Sequence, residues 1–200
     1  MKVITFSTRF PAKHPKAGQP TYFVEKIMAS LADCIEGWKM YDDFVLYDWH
    51  QYYNASPKNH TVRAGNRWKE GELFSPRVWS GKPYASKQIE FAPPIQIKKI
   101  WNFKMTARLW ADECEYSING QNLNAGELIT LARNDGLHVL DFMDWFSNGM
   151  AADSNRKDFE GQILCWNESV NYSSIELPQS NGASQGTINS SNAVENKKRQ

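Results

Sequence analysis

The sequence predicts an α+β domain whose sheet curls into a small β-barrel with helices flanking one opening. Three observations lead there. Short runs of β-branched and aromatic residues with period-two alternation dominate the middle of the chain, and helical periodicity is confined to one early segment and two late ones. The order is therefore strand, helix, several strands, two helices and a closing strand, without the regular one-for-one alternation of a parallel α/β sheet. Two hundred residues fit one domain with appendages, and an apolar fraction of 41%, with 13% aromatic, can fill its core.

Val3 to Phe10 reads as the first strand. Residues 11–20 hold three prolines and a glycine and read as loop. Thr21 can cap a helix to about Glu36, with Phe23, Ile27, Met28 and Leu31 on one face and Gly37 ending it. The aromatic-rich residues 38–56 carry no clear period, and 11–56 together read as an insertion. Strands are expected over Asn59–Ala64, Leu73–Trp79 and Gln88–Phe91. From Ile95 an alternating stretch runs to about Tyr116, as two strands or one long bent strand. Asn119-Gly120 makes a turn, and Asn124 caps a helix over Ala125–Asn134. Gly136 interrupts, Leu137–Phe146 form another helix, and Gly161–Trp166 close the sheet. The domain spans 1–168. From Ser169 to Gln200 the composition turns to Ser, Asn, Gln and Gly, which predicts a disordered tail.

Net charge is only +1, so the chain is no polycation, yet its charge is segregated. Residues 57–88 carry seven Lys/Arg against two acids, and residues 112–144 carry seven acids against Arg133. The two segments either orient an anionic ligand or pair with each other. Cys34, Cys114 and Cys165 are too few and too dispersed for a disulfide framework or a paired-cysteine metal site, and they suit a reducing cytoplasm. The four histidines show no zinc spacing, so neither metal nor cofactor is expected. No run approaches the ~20 apolar residues of a membrane span.

The chemistry-bearing residues crowd into two runs. The first is Lys58-Asn59-His60-Thr61-Val62-Arg63, followed by Arg67-Trp68-Lys69-Glu70-Gly71-Glu72. The second is Pro76-Arg77-Val78-Trp79-Ser80-Gly81-Lys82-Pro83-Tyr84. Cations alternating with flat rings suit a nucleobase-and-phosphate ligand, because bases stack on rings and phosphates pair with Arg and Lys. Arg63, Arg67, Lys69, Arg77 and Lys82 are the candidate phosphate contacts. Trp68, Trp79 and Tyr84 are the candidate stacking surfaces. The ordinary alternatives are core tryptophans and solvated cations.

These residues resemble the ASCH superfamily of PUA-like barrels. Its hallmark is similar to Lys58-x-x-Thr61-Val62-Arg63 followed by the turn Lys69-Glu70-Gly71-Glu72. Ile4-Thr5-Phe6 with Arg9-Phe10 resembles the first strand of the small bacterial N4-acetylcytidine amidohydrolases of that superfamily. Asn134-Asp135-Gly136-Leu137 falls where those enzymes place an acid, usually a glutamate. The Arg-Trp-Lys, Ser-Pro-Arg-Val-Trp-Ser and Lys-Pro-Tyr elements look like longer forms met in phages and prophages. The resemblance covers roughly residues 1–10 and 57–168. It implies a PUA-like barrel, with Lys58 as general base, Thr61 as nucleophile and Asp135 as proton donor. Such a lysine needs a lowered pKa, for which His60 and Arg63 are candidate neighbours. Because three residues is an odd step, Lys58 and Thr61 can meet only if Lys58 precedes the strand or a bulge intervenes.

Three functions follow as expectations. The first is a nucleic-acid or nucleotide-binding module for RNA or a modified nucleoside, held in a pocket at the barrel mouth. The second is an amidohydrolase deacylating N4-acetylcytidine-like nucleosides. The third is a phage accessory protein whose 11–56 insertion, with Trp49, Tyr52 and Tyr53, docks on a host protein.

Overall fold

The structure is a computed structural model that describes residues 1–31, 56–107, 114–150 and 158–172. Strand β1 (Lys2–Thr5) opens the chain, and α1 (Phe23–Ser30) follows. The middle holds β2 (His60–Ala64), β3 (Leu73–Trp79), β4 (Gln88–Glu90), β5 (Ile95–Gln96), β6 (Lys99–Ala107), β7 (Cys114–Ile118) and β8 (Gln121–Asn122). Helices α2 (Ala125–Asn134) and α3 (Val139–Met150) precede the closing strand β9 (Asp158–Cys165). The fold is α+β.

Among the described residues the strands form two sheets rather than a closed ring. One has the order β1-β3-β4, with β5 also paired to β3; the other runs β2-β9-β6-β7-β8. β1 lies parallel to β3, and the other pairings are antiparallel. The sheets are joined where β5 bends into β6: the Ile97 amide donates to Glu72 and the next amide, Lys98, donates to Cys165. A strand that changes sheets at a bend turns the corner between two stacked layers. The alternating stretch from Ile95 is thus a cornered strand followed by a partner.

The pleat sorts residues by face. On the sheet containing β2, His60, Val62, Ile163, Trp101, Phe103 and Met105 share the side covered by α2 and α3, where Phe103 and Phe142 meet edge to face. Thr61, Arg63, Gln162 and Leu164 take the opposite side, toward β1 and β3. Between the sheets Phe6 and Phe74 pack against Trp166. Gly161 allows the sheet to be this close, since a Cβ there would stand 2.3 Å from the Arg63 carbonyl oxygen. The hairpin between β7 and β8 turns on Asn119 and Gly120, both at positive φ, the geometry that favours Asn-Gly.

Helix α2 has the ends its sequence encodes. The Asn124 side chain accepts from the Glu127 amide while Glu127 reaches back to the Asn124 amide, a capping box. At the other end Leu137 donates to Ala132 and Gly136 to Arg133, a Schellman closure with Gly136 at φ 78°. Asp135 is the C-cap residue of this closure, so its side chain is fixed by a reversal of the backbone. Helix α1 starts at Phe23 behind Tyr22 at φ 57°, with Thr21 Oγ1 bonded to the Ser7 carbonyl. The expected domain limit at 168 moves: Val170 and Tyr172 are buried, so the chain stays packed through 172. The remainder of the tail lies outside the described residues, as do residues 32–55 of the insertion, including Trp49, Tyr52 and Tyr53.

Candidate functional site

Lys58 stands two residues ahead of β2, so the strand's alternation does not constrain it. Its amide donates to the Lys26 carbonyl, and the Asn59 amide donates to Asn134, which ties the entrance of β2 to α1 and to the end of α2. The Lys58 side chain is 1% exposed. Its Nζ donates to the Asp135 carbonyl oxygen at 2.5 Å and lies 3.0 Å from Asp135 Oδ1. The ammonium also sits 4.3 Å from the centroid of the Phe23 ring. Its short bond is aimed at the carbonyl, so the carboxylate contact is an ion pair off the hydrogen-bond direction, and Oδ1 has no hydrogen-bond partner.

Burial pushes the Lys58 amine down to about 8, against the opposing pull of Asp135. Arg63 and Lys26 lower it further. For Asp135 burial favours the neutral acid, but Lys58 and His60 outweigh it and hold the carboxyl below the usual range. The resting pair is thus an ammonium and a carboxylate in a desolvated setting, with the lysine more easily deprotonated than an exposed one. Among the described residues it is the ion pair that joins the basic segment 57–88 to the acidic segment 112–144.

A directed chain of hydrogen bonds ends beside this pair. Asn167 Nδ2 donates to Asn59 Oδ1 at 3.0 Å, and Asn59 Nδ2 donates to Asn134 Oδ1 at 3.1 Å. Asn134 Nδ2 donates to the Tyr172 hydroxyl at 2.9 Å, whose oxygen is 2.8 Å from His60 Nε2. The tyrosine proton therefore goes to Nε2, and the neutral imidazole carries its own proton on Nδ1. That nitrogen is 3.4 Å from Asp135 Oδ1. Burial lowers the His60 pKa despite Asp135, which keeps the ring neutral.

Thr61 is 5% exposed on β2, opposite Leu164 and on the face away from His60. Arg63 shares its face, donates to the Thr5 carbonyl at 3.1 Å and lies 5.0 Å from the Phe6 ring centroid. Its Nε is buried without a partner, and burial lowers its pKa to about 10. Asp135, Arg67 and Tyr84 all act on that charge. The structure thus brings Lys58 and Asp135 into contact, with Arg63 inside their electrostatic reach, but among the described residues no hydrogen bond joins the Thr61 side chain to either of them, and Thr61 takes the opposite face of β2 from His60.

The other nominated residues lie elsewhere. Trp68 is 3% exposed, pinned by reciprocal bonds between its backbone and Gln162, with Lys2, Arg67 and Phe74 against its ring. That packing takes up the ring a base would stack on. Arg67 and Lys69 are exposed beside it, near the Lys2–Glu72 ion pair. Arg77 is half-buried and donates to Ser75 Oγ. Trp79 pairs with Tyr84 at 5.3 Å, and Tyr84 is 92% exposed at φ 62° on the turn that carries exposed Lys82. Sequence reasoning missed the role of Tyr172, Asn134, Asn59 and Lys26. Val170 and Tyr172, two apart where the Ser- and Asn-rich tail begins, were the available signal. Among the described residues no group of three or more His, Cys, Asp or Glu could hold a metal ion, and no helix is long and apolar enough to cross a membrane.

Compared with protein-family models, with curated proteins and with solved structures, the chain matches none of them.

Proposed function

We propose that the chain is an ASCH-like protein with a PUA-like barrel, recognising a modified nucleobase and hydrolysing the acyl amide of an N4-acylated cytidine. The observation that carries this reading is the buried contact between Lys58 and Asp135, side chains 77 positions apart in sequence. A buried ion pair adds little to stability over an apolar pair of similar size, so its presence at the entrance of β2 favours chemistry. The cornered strand β5–β6 supports the barrel, since it bends one sheet toward the other.

In this reading Lys58, once neutral, takes the Thr61 hydroxyl proton as that oxygen attacks the acyl carbon. The proton passes by way of Asp135 to the departing N4 amine, and water then cleaves the acyl-threonine. Asp135 is ionised at rest, so it donates only a proton first received from Lys58. Arg63 lowers the Lys58 pKa and offers its unpartnered Nε to a base carbonyl. The test is incubation with N4-acetylcytidine and chromatography for cytidine. Product that disappears in Thr61→Ala supports the assignment, and undiminished product in both Thr61→Ala and Lys58→Ala removes it.

A second reading, binding of single-stranded RNA, is favoured by one observation: exposed Tyr84 against Trp79, with exposed Lys82 on the same turn and exposed Arg67 and Lys69 elsewhere. Fluorescence anisotropy would show affinity that falls steeply with salt and weakens in Tyr84→Ala. Salt-insensitive or absent binding discards it.

A further inference from the structure

A cavity of about 390 Å³ opens where α2 turns into α3. Three side chains from separate places line it with positive or donor character: Lys26 of α1, Arg133 near the end of α2, and His138 just ahead of α3. No acidic side chain is among its described lining residues. Arg133 is exposed and, among the described residues, in no ion pair. Lys26 Nζ donates to the Gly136 carbonyl at 2.5 Å and keeps two further protons to offer. His138 Nδ1 accepts from the Leu140 amide at 3.4 Å, which leaves Nε2 as the protonated, donating nitrogen. Ile129, Leu137 and Val139 supply an apolar wall. The volume falls in the ordinary range for small-ligand sites, about 300–1,000 Å³.

The cavity also adjoins the buried pair. Gly136 lines it, and a Cβ placed on Gly136 would stand 3.0 Å from Lys58 Cβ and 3.3 Å from Lys26 Cδ. One residue separates the cavity from the Lys58–Asp135 contact.

We infer that this cavity binds the phosphate monoester of a cytidine nucleotide, with Arg133, Lys26 and His138 as its partners. A monoester has three terminal oxygens that diverge tetrahedrally, and three donors from three chain segments match that shape better than a planar carboxylate does. The sugar lies along the apolar wall. The choice of cytidine rests on the proposed deacylation; the anion site does not.

The test is calorimetric titration of the full chain with cytidine 5′-monophosphate, with cytidine, and with inorganic phosphate as competitor. Cytidine monophosphate is expected to bind at least about tenfold tighter than cytidine, the effect of one good charged contact. Phosphate should compete with it. Arg133→Ala should remove most of the advantage, and Arg133→Glu should push the nucleotide below the nucleoside, with thermal unfolding unchanged because Arg133 is exposed. Equal affinities for nucleotide and nucleoside overturn the inference, as does no detectable nucleotide binding or an advantage untouched in both variants. Phosphate binding that depends on Arg133, in a protein that fails to deacylate N4-acetylcytidine, would uphold this site while removing the proposed reaction.

Discussion

At the scale of single residues, the dominant feature is a charge pair placed where charges are costly. Removing one partner of a buried pair leaves the other unpaired, at about 3–5 kcal/mol, whereas removing both can be close to neutral. Lys58→Met should therefore lower unfolding free energy by about that amount, and Lys58→Met with Asp135→Asn should recover much of the loss. Urea unfolding of the two single variants, the double variant and the native chain checks this; additive losses would mean that the pair does not interact. The proton balance gives a second expectation. The lysine's ordinary value is 10.5 and its folded value about 8, so between those pH values the unfolded chain binds more protons. Stability from this group therefore rises as pH climbs from about 8 toward 10.5, and below 8 its burial is a constant cost. Buried Tyr116, Tyr172 and Cys165, whose acidities burial weakens, pull the other way in alkali. The difference between native chain and Lys58→Met removes that shared background, and it should grow across this window. A flat difference would place Lys58 in an ordinary aqueous setting.

At the scale of elements, the closure of α2 sets the site. Gly136 is required twice, by φ 78° and by the 3.0 Å approach to Lys58 Cβ. Gly136→Ala adds left-handed strain of about 1–2 kcal/mol and pushes Lys58 from Asp135, so both stability and turnover should fall. Unchanged melting in this variant would contradict the described closure. Much of this was legible beforehand. Asn124 and Glu127 announce the start of α2, Gly136 its end, and the runs at Leu73–Trp79 and Gln88–Glu90 alternate as strands do. What was less legible has physical reasons. The strand expected over Asn59–Ala64 already left Lys58 ahead of it, but what holds Lys58 there, the bond from its amide to Lys26, is a contact between distant segments that no local pattern records. Helix α3 begins at Val139 because Leu137 is used by the Schellman closure. Trp68 looks like a stacking ring in sequence, but its backbone bonds to Gln162, 94 positions away, fold it into the core.

At the scale of the whole molecule, two sheets joined at a corner enclose the aromatic core, and residues 169–172 return to complete the site. Val170 and Tyr172 are buried, and Tyr172 links Asn134 to His60. A chain ending at Glu168 should be less stable than one ending at Tyr172 by about 2–4 kcal/mol, from two buried side chains at ~1.5–3 kcal/mol each, part of which the shortened chain regains by relaxing. Equal unfolding midpoints would mean that residues 169–172 contribute nothing. Composition hid this segment, because two apolar residues among Ser and Asn carry little weight in a window average. The candidate site was legible as residue types, while its geometry depends on contacts between segments 77 positions apart. The most direct test is the pH dependence of kcat/KM for N4-acetylcytidine. The rate should rise through a single limb near pH 8 and level off, with Lys58→Met lower by about 10²–10⁴. No cytidine at any pH, or a Lys58→Met variant that follows the native profile, would contradict a catalytic role for the buried pair.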